Sequence, residues 1–297
     1  MVQLSVLMPV HEGEKFIAEA IESILCQSFS DFELIILDNQ STDKSSEIIK
    51  EFSKKDNRIK YIYDVKKRNG NDCFSELIKF ARGKYLTTVS DDNLLDKDFF
   101  LTLINLIKKD SFDWVIANGC YISESKKFLG PFFKKNVYVH GDANVKKLLK
   151  FCFRGDVIPI VGSFMTTTFL YKSFLPLINL SRFENDSDTV LSFKVLTNCN
   201  IGFVEKNMFF CRIYDIHERY YDTKNIKSNY YFLEKVAHEI NLLKSIFVIL
   251  EKSNFSKLLV LYLKFLVPLV ILSKYIKNFL VKIIIFFKLR KFVKLFI

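Results

Sequence analysis

Over its first 110 residues the chain alternates two kinds of apolar pattern. Residues 3–10 (QLSVLMPV) and 32–38 (FELIILD) are short, nearly continuous apolar runs ending in polar or turn-forming residues, as strands buried on both faces do. Between them Phe16, Ile17, Ala20, Ile21, Ile24 and Leu25 recur at the spacing of one helix face, within residues 13–27. The segment SSEIIKEFSKK reads as a second helix, with Thr42 or Asp43 as its N-cap. A third strand follows at 59–65 (IKYIYDV), a third helix at 72–82, and a fourth strand at 84–90 (KYLTTVS) that runs into Asp91, Asp92 and Asn93. This β-α-β-α-β-α-β order predicts an α/β fold with a doubly wound, mostly parallel sheet and flanking helices. Ligands of such sheets sit at the carboxyl ends of the strands, where Asp38, Asp91 and Asp92 fall.

Beyond residue 96 the pattern predicts a helix over 97–109 and a strand over 112–123, then a mixed stretch over 124–182. Residues 183–196 begin polar and acidic and turn apolar at helical spacing. From about residue 228 the chain reads as helix, increasingly basic and apolar. The organisation expected is one domain over 1–225, with halves 1–110 and 111–225, followed by a helical basic tail over 226–297.

Composition sharpens the reading of that tail. At 297 residues and 49% apolar content the chain can bury a sizeable core, which excludes wholesale disorder. The net charge of +11 would suit a nucleic-acid binder, but its distribution does not. Ten of the 44 basic residues lie from Lys252 onward with no acidic residue among them, leaving 34 basic and 33 acidic residues in 1–251. A segment both basic and apolar predicts an anionic membrane surface as partner, through 256–297, and no nucleic acid. Its longest uncharged stretch, 265–273, is far shorter than the roughly 20 residues a membrane-spanning helix needs. Six of its lysines fall within an arc of about 140° on a helical projection, and Pro268 should interrupt the helix. The alternative use of the tail is a core-packing helix or a homodimer interface. The N-terminal MVQLSVLMPV has neither a basic leader nor a small-residue cleavage site, so no secretory signal is expected. The expected location is cytoplasmic, peripheral on the inner face of the cell membrane. Cys26, Cys73, Cys120, Cys152, Cys199 and Cys211 show no metal-finger or CxxC spacing, and buried reduced thiols are expected.

Two clusters carry candidate chemistry. In SDDN, residues 90–93, adjacent carboxylates at a strand end could hold Mn²⁺ or Mg²⁺, hard cations that take oxygen ligands and share them with phosphates. Such a pair is more often a solvated turn. In LDNQSTD, residues 37–43, Asp38 could accept from a ribose hydroxyl or a base N–H; the commoner use of this arrangement is an N-cap or Asx-turn.

Taken together and in order, SVLMPVHEGEKFIAEAIESILCQSFSDFELIILDNQSTDKSSEIIKEF and ARGKYLTTVSDDN resemble the N-terminal half of family 2 glycosyltransferases, over about residues 2–110. The resemblance implies a GT-A-type fold, with 1–110 binding the nucleotide and 111–225 the acceptor. It implies Asp92 as metal ligand and Asp91 near the donor ribose. Asp38 and Asn39 match the pair contacting base and ribose, while Pro9, His11 and Glu12 line the base pocket. Arg68 is the candidate for the donor diphosphate. The chain departs from the family pattern at Asn39, Gln40, His11, Glu12 and Ser75.

An inverting transfer needs a carboxylate base for the acceptor hydroxyl. In RFENDSDTVLSFKV, Asp188 precedes Lys194 by the family's spacing and is the candidate, with Asp186 as runner-up; an acidic helix start is the plainer alternative. Relatives carry a Y-R-x-H segment closing over the donor. Arg212 matches its arginine, but Tyr214 stands where the histidine would be, and His217 is read as an ordinary surface or core histidine. The expected function is transfer from a nucleotide-sugar, a UDP-sugar, to a glycan or lipid-linked acceptor in bacterial surface polysaccharide synthesis. The alternative is a catalytically silent GT-A-like membrane scaffold or nucleotide-binding protein. A nucleotidyltransferase would want a glycine-rich basic loop after the first strand, which HEGEKF does not supply.

Overall fold

The structure is a computed structural model that describes residues 2–66, 68, 70–131, 163–178, 191, 195 and 198–214. All of them belong to one compact unit, Met1–Lys224. Asp186, Asp188, His217 and the 226–297 tail lie outside the described residues.

Among the described residues a nine-stranded sheet forms the centre. Its strands are β1 (Leu4–Val10), β2 (Phe32–Asp38), β3 (Ile59–Tyr63), β4 (Tyr85–Thr88), β5 (Leu94–Leu95), β6 (Trp114–Ile122), β7 (Phe128–Pro131), β8 (Phe164–Thr167) and β9 (Ile201–Arg212). The order is β3-β2-β1-β4-β8-β6-β9-β5, with β7 on β6. The first four strands are parallel, as the sequence pattern predicts, while β8 runs antiparallel to both β4 and β6. β1 sits between β2 and β4, with helices on both faces, so neither of its faces meets water. That explains why LSVLMPV and FELIILD read as unbroken apolar runs.

The helices described in full are α1 (Ile17–Leu25), α2 (Ser45–Lys55), α3 (Gly70–Leu77, continued by a short 3-10 turn at Ile78–Phe80), α4 (Phe99–Lys109) and α5 (Thr168–Ile178). Ile17, Ala20, Ile21 and Ile24 form the buried stripe of α1, and Phe99, Phe100, Leu103, Ile104 and Ile107 that of α4. Both stripes close over β1, β2 and β4 in one core. The expected cap of α2 is corrected in detail. The residue preceding the helix is Lys44, and Asp43 acts from one position earlier, its Oδ1 accepting from Ser45 N–H at 2.9 Å. The first turn of α4 is capped from α1's end. Gln27 accepts from Phe100 N–H at 3.0 Å and donates to the Asp96 carbonyl at 2.7 Å. The expectation for cysteine holds at Cys73, Cys120 and Cys199, which are buried, but not at Cys26, which is exposed.

Candidate active site

β1, β2 and β3 end level with one another, and β4 ends opposite Leu7, three residues before the end of β1. Val10 pairs with Asp38, Leu7 with Thr88, and Asp38 with Tyr63 of β3. The segments leaving these strands therefore gather at one edge of the sheet. β4 runs on through Ser90–Asn93 into β5, which pairs antiparallel with Phe209 and Phe210 of β9. The SDDN turn is thus held between the parallel half of the sheet and β9.

Asp91 and Asp92 are half-buried and not equivalent. The His11 N–H donates to the Asp91 carboxylate, and Gly13 lies against it. A Cβ at position 13 would stand 2.6 Å from Asp91 Oδ2, so glycine is what admits this close approach. Burial, and then the neighbouring Asp92 carboxylate, push Asp91 up to about 7. Asp92 faces the other way. Its Oδ2 accepts from the Tyr214 hydroxyl at 2.7 Å, and its carbonyl accepts from Arg212 Nε at 3.0 Å. Burial and the Asp92 carboxylate raise the Tyr214 phenol well above its ordinary range. Burial also pushes the nearby Cys211 thiol up to about 12, so this cysteine is an inert neighbour of the turn.

Arg212 anchors the whole turn. Its side chain is 0% exposed, donates to Glu19 Oε2 at 2.9 Å and to the Glu124 carbonyl, and lies 4.1 Å above the Phe16 ring. Its N–H donates to Asn93 Oδ1 at 3.1 Å.

The base-side residues are tied to one another. Asp38 is fully buried; its Oδ1 accepts from Ser41 N–H at 2.9 Å, and its Oδ2 from Tyr61 and Ser46 hydroxyls. Asn39 clamps the Arg68 backbone, donating to its carbonyl at 2.9 Å and accepting from its N–H at 2.8 Å. The Arg68 guanidinium pairs with Asp64, which it holds below the usual carboxylate range, and with Glu76 at 3.3 Å. Gln40 adopts φ +62°, the left-handed region where the family pattern has glycine, and its amide donates to the Val65 carbonyl at 2.9 Å.

Two loops interlock in front of these strands. Glu12 N–H donates to Ser41 Oγ, Gly13 N–H to Ser45 Oγ and Glu14 N–H to Asp43 Oδ2. In return Glu12 Oε1 accepts from Thr42 N–H and Glu14 Oε2 from Lys44 N–H. Pro9 lies in β1 beside Leu37, and His11 is exposed at its end. The site residues that sequence reasoning did not single out are Gly13, Asp64 and the anchoring role of Arg212 and Tyr214. Gly13 had a signal, as the single glycine in HEGEKF. Arg212 and Tyr214 act across separations of up to 193 residues.

Among the described residues no three His, Cys, Asp or Glu side chains gather to hold a metal ion alone. Two adjacent, like-charged carboxylates suit a hard cation that takes its remaining oxygens from phosphate and water.

A family model described as Glycosyl transferase family 2 matches residues 5–161. Glycosyltransferase GlyG of Streptococcus pneumoniae is 31% identical over 122 residues, 41% of this chain and 40% of that protein. An uncharacterised glycosyltransferase of Methanocaldococcus jannaschii is 34% identical over 165 residues, 50% of this chain and 57% of that protein. The chain spans about half the length of the curated relatives it matches. Among solved structures, S. aureus TarS 1–349 in complex with UDP is similar with TM-score 0.62 and 16% identity, over 93% of this chain and 72% of that chain. The complex of the same protein with UDP-GlcNAc gives TM-score 0.63 and 17% identity, over 87% of this chain and 69% of that one. At these identities the likeness is one of fold, and it agrees with the GT-A-type α/β architecture expected from the sequence. With its match running over more than half of the 297 residues, the chain belongs to glycosyl transferase family 2.

Proposed function

We propose that the chain is an inverting glycosyltransferase that moves a sugar from a UDP-sugar to a glycan or lipid-linked acceptor in surface polysaccharide synthesis. The observation that carries this reading is the Asp91–Asp92 pair, set at the strand-end edge with its two carboxylates turned to different partners. Asp92 would hold Mn²⁺ or Mg²⁺, which when bound offsets the charge developing on the leaving diphosphate. Asp91, beside His11 and Gly13, faces the ribose. Pro9, His11 and Glu12 line the base pocket. Asp38 shapes it by fixing the 39–46 segment through Ser41 and Ser46. Asn39 sets the position of Arg68, which reaches the diphosphate on leaving Asp64 and Glu76. Asp188, or Asp186 failing it, takes the proton from the acceptor hydroxyl as that oxygen attacks the anomeric carbon.

A panel of nucleotide-sugars assayed for transfer or donor hydrolysis with Mn²⁺ tests this. Turnover that Asp92→Ala abolishes is expected, and Asp92→Ala turning over like the wild type would refute the assignment. The rival reading, a catalytically silent scaffold, is favoured by the internal engagement of Asp38 and Arg68 and predicts no turnover with any donor. The basic tail is proposed to dock on anionic lipid. The full chain should sediment with phosphatidylglycerol vesicles, less so at high salt, and not with phosphatidylcholine ones; equal binding to both would contradict it.

A further inference from the structure

Tyr214 occupies the position where the resembling segment of relatives has histidine, and the structure turns it onto the SDDN turn. Its hydroxyl donates to Asp92 Oδ2 at 2.7 Å. Its ring meets Phe16 with centroids 5.6 Å apart at 43°, and the Arg212 guanidinium lies 4.1 Å from the same Phe16 ring. Between the two residues Ile213 N–H donates to the Ile122 carbonyl at 2.8 Å, so β6 fixes the backbone from which both side chains depart. Arg212 in turn holds the main chain of the turn, at the Asp92 carbonyl and through Asn93 Oδ1. Main chain and carboxylate of Asp92 are thus held by one short segment of chain.

We propose that Tyr214 is a positioning residue for Asp92, setting the rotation of its carboxylate so that it meets the donor-bound cation in one orientation. This rests on the reading of Asp92 as metal ligand. A carboxylate at the end of a turn has two soft dihedrals, and a hydrogen bond to one oxygen from a ring packed on Phe16 removes that freedom before the donor arrives. Outer partners of ligating groups orient them, and their loss costs about 10–100-fold in metal affinity. The ordinary role for a tyrosine here, filling space over Phe16, would survive loss of the hydroxyl; the positioning role would not.

The test uses the full chain as wild type, Tyr214→Phe, Asp92→Ala and the double variant. With UDP present, Mn²⁺ affinity read by electron paramagnetic resonance should fall at least about tenfold in Tyr214→Phe, while UDP binding in chelator stays as in the wild type. Without metal, the shifts in urea midpoint of the two single variants should not add in the double variant, because each removes the same hydrogen bond. Wild-type Mn²⁺ affinity in Tyr214→Phe overturns the inference alone, as do additive midpoints. No effect of Mn²⁺ on UDP binding in the wild type overturns the metal reading, and the inference with it.

Discussion

Asp91 is a carboxylate whose surroundings oppose its charge, since burial and Asp92 both raise its pKa, to about 7. The sign of the stability effect follows. Between about pH 4, the ordinary range of the acid, and pH 7 the folded state holds a proton that the unfolded state has released. Stability from this group is therefore full below that window and lost as pH rises through it. In chelator, Asp91→Asn should be more stable than the wild type at pH 8, by about 2–4 kcal/mol, with the gap closing towards pH 4. Thermal melts at the two pH values check this, and a gap independent of pH would contradict it. The Asp91–Asp92 pair was legible in the sequence because adjacent acids at a predicted strand end need no tertiary information. Gly13 and Tyr214 were not, because each meets the pair only once distant strands are aligned. At Asp38 a ribose contact and an Asx-turn require the same local residues; the fold shows the carboxylate bonded to Ser41, Ser46 and Tyr61.

Apart from β5, the strands and helices of the first 110 residues were readable because their apolar periods are unmixed: continuous for β1 and β2, three-to-four for α1 and α4. β5 is two residues long and β9 carries Glu205 and Lys206 mid-strand, so neither announces itself by pattern. One polar residue inside a legible strand has a tertiary reason. Glu33 of β2 is 3% exposed, accepting from Ser5 Oγ at 2.8 Å and from Arg82 N–H at 2.8 Å. Ser5 Oγ also accepts from Gly83 N–H at 2.9 Å, where a Cβ would stand 2.5 Å from the Ser5 nitrogen. This network locks the entry of β4 against β1 and β2, at the strand ends opposite the site. Glu33→Ala leaves the buried Ser5 hydroxyl and the Arg82 N–H without their acceptor and should cost about 1–3 kcal/mol by urea unfolding. A loss below about 0.5 kcal/mol would show that water replaces the carboxylate.

Across the whole molecule, charge and sheet topology divide the labour. The near-neutral 1–251 contains the described α/β unit with its strand-end site, and the basic excess lies in 252–297. Fold type was legible because four successive strand–helix alternations permit few arrangements. The mixed half beyond β4 was not, because its pairings are non-local: β8 inserts between β4 and β6, and β9 returns to β5. Those same pairings bring Arg212 and Tyr214 to Asp92, so what the local pattern omitted is what completes the site. The proposed reaction depends most on Asp92 linking donor and cation. Calorimetric titration of UDP into wild type and Asp92→Ala, each with Mn²⁺ and with chelator, measures that link. At least about tenfold tighter binding with Mn²⁺ is expected in the wild type and no metal effect in Asp92→Ala; an equal metal effect in both would contradict that role of Asp92.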